Sequence, residues 1–330
     1  MKDFKGIITT NIFLGKSFLS FPGRGNELRK RLRLIFRERI LLYKTKFEPD
    51  FILINNNLFG TNMFASSDVK FVESFFAELD IPIIINPGNL DEYNEVSIYN
   101  KISFPKNVTV FKNEQDVFID NQNRFVICQK SNYSKDNFFN IILSNEKIDF
   151  NSNYVFVKSN EKNFSFEKNI VDIPSFEFLS DFEQEEAGCV LFSYVGGKSS
   201  ASFLNETEFK IFNVKVNLND FSLKEELESF ILKFADENNI VKFMFYGPLY
   251  DISILRFLDS LEENYEDKFF YLDIVDNTVV SQELIKMIPP HVEEGLYIKN
   301  VRKSYFDKQD KKDIEQKILK KGLLFFDLNL

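Results

Sequence analysis

Residues 85–94 read Ile-Asn-Pro-Gly-Asn-Leu-Asp-Glu-Tyr-Asn. They close a short apolar run, residues 81–85, and turn through Pro87-Gly88-Asn89, the pattern of a buried strand ending in a polar loop. Two earlier stretches share this form. The apolar run 5–10 leads into Asn11-Ile12-Phe13-Leu14-Gly15-Lys16, and the run 50–54 into Asn56-Asn57-Leu58-Phe59-Gly60-Thr61. Between the runs, residues 26–46 set Leu28, Leu32, Ile35, Ile40 and Leu42 among charges at helical spacing, and residues 67–79 open on a Ser/Asp cap signal. Strand, helix, strand, helix, strand predicts an α/β layered sheet. In such a sheet the loops at the strand carboxyl ends face ligands.

Further along, residues 108–111, 117–119, 124–128, 140–143 and 154–157 are short apolar runs separated by turn residues, suited to the second sheet of a sandwich. Residues 188–194 form another strand, and Gly196-Gly197-Lys198-Ser199-Ser200 a turn. A Walker motif would need a glycine where Phe192 stands. From about residue 205 the pattern changes to strand 208–218, helix 223–238, strand 241–246, helix 252–262 and strand 269–274, a small α/β cap. After Pro289-Pro290-His291, residues 310–326 form a basic helix with Ile314, Ile318, Leu319 and Leu323 on one side. The predicted organisation is a main domain over 1–204, a cap over 205–280 and a tail over 281–330.

Composition narrows the chemistry. Of 330 residues, 44% are apolar, enough for a substantial core, and one residue only is a histidine, His291. A dinuclear metal centre needs several imidazoles and carboxylates to hold two ions close together. One late histidine does not supply them. Cys128 and Cys189 make neither a disulfide framework nor a zinc site, and fit a reducing cytoplasm. There is no signal-peptide pattern and no apolar stretch of about 20 residues. A net charge of −9 argues against a general nucleic-acid coat. The 40 phenylalanines carry no functional meaning of their own.

The three strand-end motifs, in this order, resemble those of the calcineurin-like metallophosphoesterases. That family carries Asp-x-His-Leu-Gly, Gly-Asp-Leu-Phe-Asp-Thr and Gly-Asn-His-Asp/Glu at these points. Leu14-Gly15-Lys16-Ser17-Phe18, Leu58-Phe59 and Ile81-Pro82 resemble in particular the SbcD-type nuclease subunit of DNA double-strand-break repair. More weakly, residues 153–161, Asp172-Ile173-Pro174-Ser175 and residues 241–247 are similar to later motifs and to the cap strand of that subgroup. The resemblance implies a metallophosphoesterase-type two-sheet sandwich flanked by helices, with a small α/β cap and a C-terminal helical tail.

Carried over residue by residue, it also implies loss of the two manganese ions that relatives use. Asn11 and Phe13 stand for the first metal's Asp and His, and Asn57 for the bridging Asp. Asn89 is retained, Leu90 replaces the histidine that assists the leaving group, and Ser159 and Glu161 replace the last two histidines. Disturbing even a group behind the ligands costs about 10–100-fold in affinity or activity, so several ligand losses leave no two-metal hydrolysis. The expectation is no catalytic residue, no metal and no cofactor.

Two features suggest binding. Arg24, Arg29, Lys30, Arg31 and Arg33, continued by Arg37 and Arg39, form a basic cluster opposed by Glu27 and Glu38. It reads either as a solvated helix face or as a contact to DNA phosphates, which needs only positioned charge. The resemblance implies a homodimer through helices of this region. It also implies a coiled-coil ATPase of the SbcC type bound by the tail, with Ile314, Ile318, Leu319 and Leu323 in a partner's groove. The same helix reads equally as packing on its own domain. Three functions stay open: an inactive SbcD-like scaffold subunit, a phosphoesterase rebuilt around Asp91, Glu92, Glu161 or Asp172, and a scaffold unrelated to DNA.

Overall fold

The three apolar runs at the N-terminus become neighbouring parallel strands. The chain is described by a computed structural model over residues 2–63, 65–129, 135, 137–143, 154–159, 163–178, 186–305 and 312–326. It divides into two units, Met1–Glu208 and Phe209–Leu330.

In the first unit, β1 (Phe4–Thr9), α1 (Gly25–Phe47), β2 (Phe51–Asn55), α2 (Ser66–Glu78), β3 (Ile83–Asn86) and β4 (Val108–Val110) alternate along the chain. Strands β1 to β4 pair in parallel. Parallel pairing requires crossovers, and α1 and α2 supply the first two. All five residues of β2 and all four of β3 are buried, as in strands covered on both faces. The next elements are β5 (Val117–Asp120), β6 (Phe125–Cys128), β7 (Phe139–Leu143), β8 (Tyr154–Ser159), β9 (Ser165–Glu167), β10 (Ile170–Ile173), β11 (Cys189–Val195) and β12 (Lys198–Leu204). One sheet has the order β12-β11-β1-β2-β3-β4 and the other β5-β6-β7-β8-β10-β9. Phe4, Ile8, Phe51, Leu53 and Ile84 of the first sheet share one apolar core with Phe125, Ile127, Phe139, Ile141 and Val171 of the second. Two sheets closed over one core form a layered α/β unit.

One local reading changes here. Only Gly196 and Gly197 form the turn, at φ 58° and 80°, and Lys198 already belongs to β12. Strands β9 and β10 carry too few residues to show a period and had no sequence expectation.

The second unit contains β13 (Lys210–Asn217), α3 (Lys224–Leu232), β14 (Asp236–Leu249), α4 (Ile252–Tyr265), β15 (Phe269–Val280), α5 (Gln282–Met287), α6 (Glu293–Tyr305) and α7 (Lys312–Phe325). Its sheet is all parallel, in the order β13-β14-β15. The helix expected to run to residue 238 stops at Leu232, and β14 begins at Asp236. The Asn239 amide, donating to the Phe234 carbonyl at 2.9 Å, holds the turn into β14. Asn is a weak helix former for this reason: its side chain competes for backbone groups.

The described residues of 281–326 belong to the second unit's core. Leu284, Ile288, Ile298, Val301, Leu319 and Leu323 lie in the same apolar cluster as Val241, Phe243 and Leu255. Leu319 and Leu323 have no exposed surface. Polar contacts fix α7 as well. The Val280 N–H donates to Gln316 Oε1 at 2.8 Å, Lys320 Nζ lies 2.7 Å from Asp276 Oδ2, and the Tyr297 hydroxyl donates to the Ile318 carbonyl at 2.6 Å. Among the described residues no helix is long and apolar enough to cross a membrane.

Candidate functional site

The loops after β1, β2 and β3 converge at the strand carboxyl ends, where parallel sheets place ligands. Backbone bonds zip the first loop to the second: Asn11 N–H to the Asn56 carbonyl at 3.1 Å, Phe13 to Asn57 at 3.1 Å, Leu14 to Leu58 at 2.9 Å and Gly15 to Phe59 at 3.0 Å. The pairing forces left-handed backbone at Asn11, Phe13, Asn56 and Asn57, with φ of 51°, 61°, 76° and 47°. Asn tolerates this region because its short side chain bonds locally; Phe does not, and Phe13 is held there by its surroundings. Its ring lies over Gly60, where a Cβ would come within 2.4 Å of it.

Neutral amides join the loops. Asn57 Nδ2 donates to Asn11 Oδ1 at 2.8 Å, and Asn57 Oδ1 accepts from the Leu90 N–H at 3.2 Å. Asn11 Nδ2 in turn donates to Ser175 Oγ at 3.3 Å. A Cβ on Gly88 would lie 2.3 Å from Asn57 Oδ1, so the third loop approaches as closely as a glycine allows. Beside this cluster, Asn86 Nδ2 donates to Asn55 Oδ1 at 2.8 Å, and Gln129 donates to Asn86 Oδ1. Asn89 and Leu90 face outward, with Leu90 53% exposed.

The surviving carboxylate, Asp91, is a loop staple. Its Oδ1 accepts from the Gly88 N–H at 2.8 Å, and its Oδ2 from Phe59 N–H at 2.7 Å, Gly60 N–H at 3.2 Å and the Tyr99 hydroxyl at 3.1 Å. It has no exposed surface. Burial raises its pKa above the ordinary carboxylate value, against the pull of these donors. Burial and the neighbouring Asp91 push the Tyr99 phenol well up, which keeps it a proton donor to the carboxylate.

This donor set does not fit a pair of divalent ions. Amides carry no charge to offset an ion's desolvation, and those of Asn11 and Asn57 are already bonded to each other. Among the described residues no group of three His, Cys, Asp or Glu side chains comes together as a metal site. Asp172, a candidate for a rebuilt site, accepts from Ser165 Oγ at 2.7 Å, and Glu92 is exposed. Ser159 lies at the end of β8, and Glu161 lies outside the described residues. Burial pushes the thiols of Cys128 and Cys189 up to about 11, which holds both in the thiol form at neutral pH.

The basic cluster on α1 is largely tied to the unit's own carboxylates. Arg24 pairs with Glu27 at 3.0 Å, Arg31 with Glu208 at 3.1 Å, and Arg33 with the fully buried Asp68 at 3.2 Å. Arg37 pairs with Glu78 at 2.7 Å and Arg39 with Glu177 at 2.6 Å, the latter pair buried. Of the remaining DNA candidates, Arg29 is half-buried and Lys30 is exposed. Sequence spacing showed the cations; it did not show that their partners lie up to 177 positions away. The proposed partner-facing stripe divides too. Leu319 and Leu323 are core residues, Ile318 packs on that core, and Ile314 is 47% exposed.

Asp91, which the sequence offers as a ligand of a rebuilt metal site, instead ties the second and third loops together through four donors. The signal was present: an Asp three positions after a turn glycine accepts that glycine's N–H in a local turn. The chain was compared with known proteins, and no family model and no curated protein matches it.

Proposed function

We propose that the chain is a catalytically silent relative of the SbcD-type nuclease subunit, acting in the cytoplasm as a scaffold or binding subunit. The observation that carries this reading is the bonding of Asn57 between Asn11 and the Leu90 N–H. Three loops meet there in the motif order of the phosphoesterases, and neutral amides satisfy one another where ligands to two metal ions would be. The proposed partner is a coiled-coil ATPase of the SbcC type, with a second copy of this chain and DNA as further partners. Docking through α7 would use outer residues such as Ile314, because Leu319 and Leu323 are already buried.

The test has two arms. Purified protein with millimolar manganese should leave single- and double-stranded DNA uncut, and calorimetry should detect no tight manganese binding. Manganese-dependent cleavage that disappears in Asn57→Ala overturns the silent-site reading. Co-purification with the ATPase should survive Leu90→Ala and be lost in Ile314→Glu. Unchanged capture by Ile314→Glu removes α7 as the docking element.

A further inference from the structure

A cleft of about 370 Å³ opens beside β4, lined by Tyr93, Tyr99, Phe104, Val108, Val110 and Lys112 among others. It falls within the size range of binding sites; tyrosine, phenylalanine and valine line it, and polar atoms make up the larger share of its walls. Tyr93 is fixed by donating its hydroxyl to Asn100 Oδ1 at 2.6 Å. Lys112 holds its ammonium 5.5 Å from the centre of the Tyr93 ring. The nearby Asp116 carboxylate accepts from the backbone N–H groups of Lys112 and Asn113 at 2.5 Å and 3.3 Å.

The strand that borders this cleft is the edge of its sheet. Asn107 accepts from the Ile83 N–H at 2.8 Å and Phe111 donates to the Ile85 carbonyl at 2.9 Å, so the odd-numbered residues of this stretch face β3. Backbone groups alternate along a strand. Val108 and Val110 therefore turn theirs away from the sheet. The Val108 N–H is used by the Pro105 carbonyl at 3.0 Å. Among the described residues, the Val110 N–H and C=O and the Val108 C=O meet no partner. Short edge strands are one way edges are blunted, yet this three-residue strand still leaves three backbone groups open beside the cleft.

We propose that this edge is a docking site for an extended peptide segment of a partner protein, added as a further strand on β4. The open backbone groups select the occupant, since a strand returns both a donor and an acceptor at the required spacing. The cleft selects its side chains: a bulky apolar residue against Tyr93, Tyr99 and Phe104, and an acidic residue reaching Lys112. Tyr99 also bonds Asp91, so the bound segment would rest on a side chain that donates to the carboxylate joining the second and third loops. This goes beyond the reading of the amide site and stands whether or not that site is silent.

The test uses the full chain, immobilised, against a phage-displayed library of random dodecamer peptides. Enriched peptides should alternate apolar and polar residues and carry an acidic residue near a bulky apolar one. A synthetic peptide of the enriched sequence should slow hydrogen exchange at the Val110 amide. Val110→Pro removes an N–H that no ladder bond uses, so it should melt near the parent temperature yet weaken the peptide at least tenfold. Lys112→Glu should weaken it about three- to tenfold. If Val110→Pro melts early, the exchange measurement on the unmodified chain decides alone. Failure to enrich any peptide, or unchanged exchange at Val110 with peptide bound, overturns the proposal.

Discussion

In the first unit, Asn57 and Asp91 turn their polar atoms onto neighbouring loops; in the second, α7 turns Leu319 and Leu323 onto its own sheet. Both regions carry patterns that suggest an external ligand or partner, and both satisfy those patterns internally. They do so by different physics. The loops are held by directed hydrogen bonds at unfavourable backbone angles, so each bond has one geometry and removing an acceptor strands several donors. The helix is held by area, which tolerates repacking but charges every lost methyl group. Loop chemistry thus depends on a few atoms, and tail chemistry on a face.

The largest expected effect breaks the loop side. Asp91→Ala removes the acceptor for two buried N–H groups, one half-buried N–H group and one hydroxyl, and should lower unfolding stability by about 3–5 kcal/mol in urea titration. A loss below about 1 kcal/mol would mean that water or a rearranged loop satisfies these donors, and the staple would not hold the site. On the tail side, Leu323→Ala should cost about 3 kcal/mol, whereas Ile314→Ala should stay within about 0.5 kcal/mol of the parent. Equal small effects at both positions would return α7 to the status of a free docking helix.

What was legible follows the same division. Period and turn chemistry located β1 to β3, α1 and α2 within a residue or two, because apolar runs ending in Pro-Gly-Asn or Asn-Asn have few other readings. Motif order calls for Asn11, Asn57 and Asn89 to cluster; Asn11 and Asn57 meet, whereas Asn89 faces outward. The pairing of the arginines was not legible, since Arg31–Glu208 and Arg39–Glu177 join distant parts of the chain. Nor was the orientation of α7: an apolar stripe predicts burial without saying against what. Helices α5 and α6 were missed because Pro289-Pro290 reads as a hinge, although it only separates two short helices of one core.

Protonation sharpens the contrast between a directed internal site and an open surface. Asp91 has its folded pKa raised by burial, so its protonated form adds stability below the ordinary value of 3.8, and that contribution is lost as pH rises through the raised value. Exposed Asp80 has its folded pKa lowered by the hydrogen bond from Lys44, so its contribution is present above 3.8 and lost as pH falls through the lowered value. Carboxyl carbon NMR should therefore find the Asp91 midpoint above 3.8 and the Asp80 midpoint below it. An Asp91 midpoint at or below 3.8 would show that its four donors outweigh burial, making the site friendlier to a negative charge than the neutral amides suggest.

The smallest effect isolates the backbone from the side chains. Asn56 sits at φ 76°, its N–H donates to the Asn86 carbonyl at 2.8 Å, and its carbonyl accepts from Asn11. Only main-chain groups of Asn56 appear in these contacts, so its side chain can be changed without touching the zip between loops. Left-handed backbone costs an ordinary residue about 1–2 kcal/mol and glycine almost nothing. Asn56→Ala should thus lose about 1 kcal/mol, while Asn56→Gly should match or slightly exceed the parent once glycine's greater freedom in the unfolded chain is included. Thermal melts of the two variants give the comparison directly. If alanine and glycine behave alike, the loop relaxes away from this angle, and the convergence of Asn11, Asn57 and Leu90 does not depend on the backbone conformation at Asn56. If they differ as expected, the strand-end loops hold strained backbone that α7, a regular helix, does not.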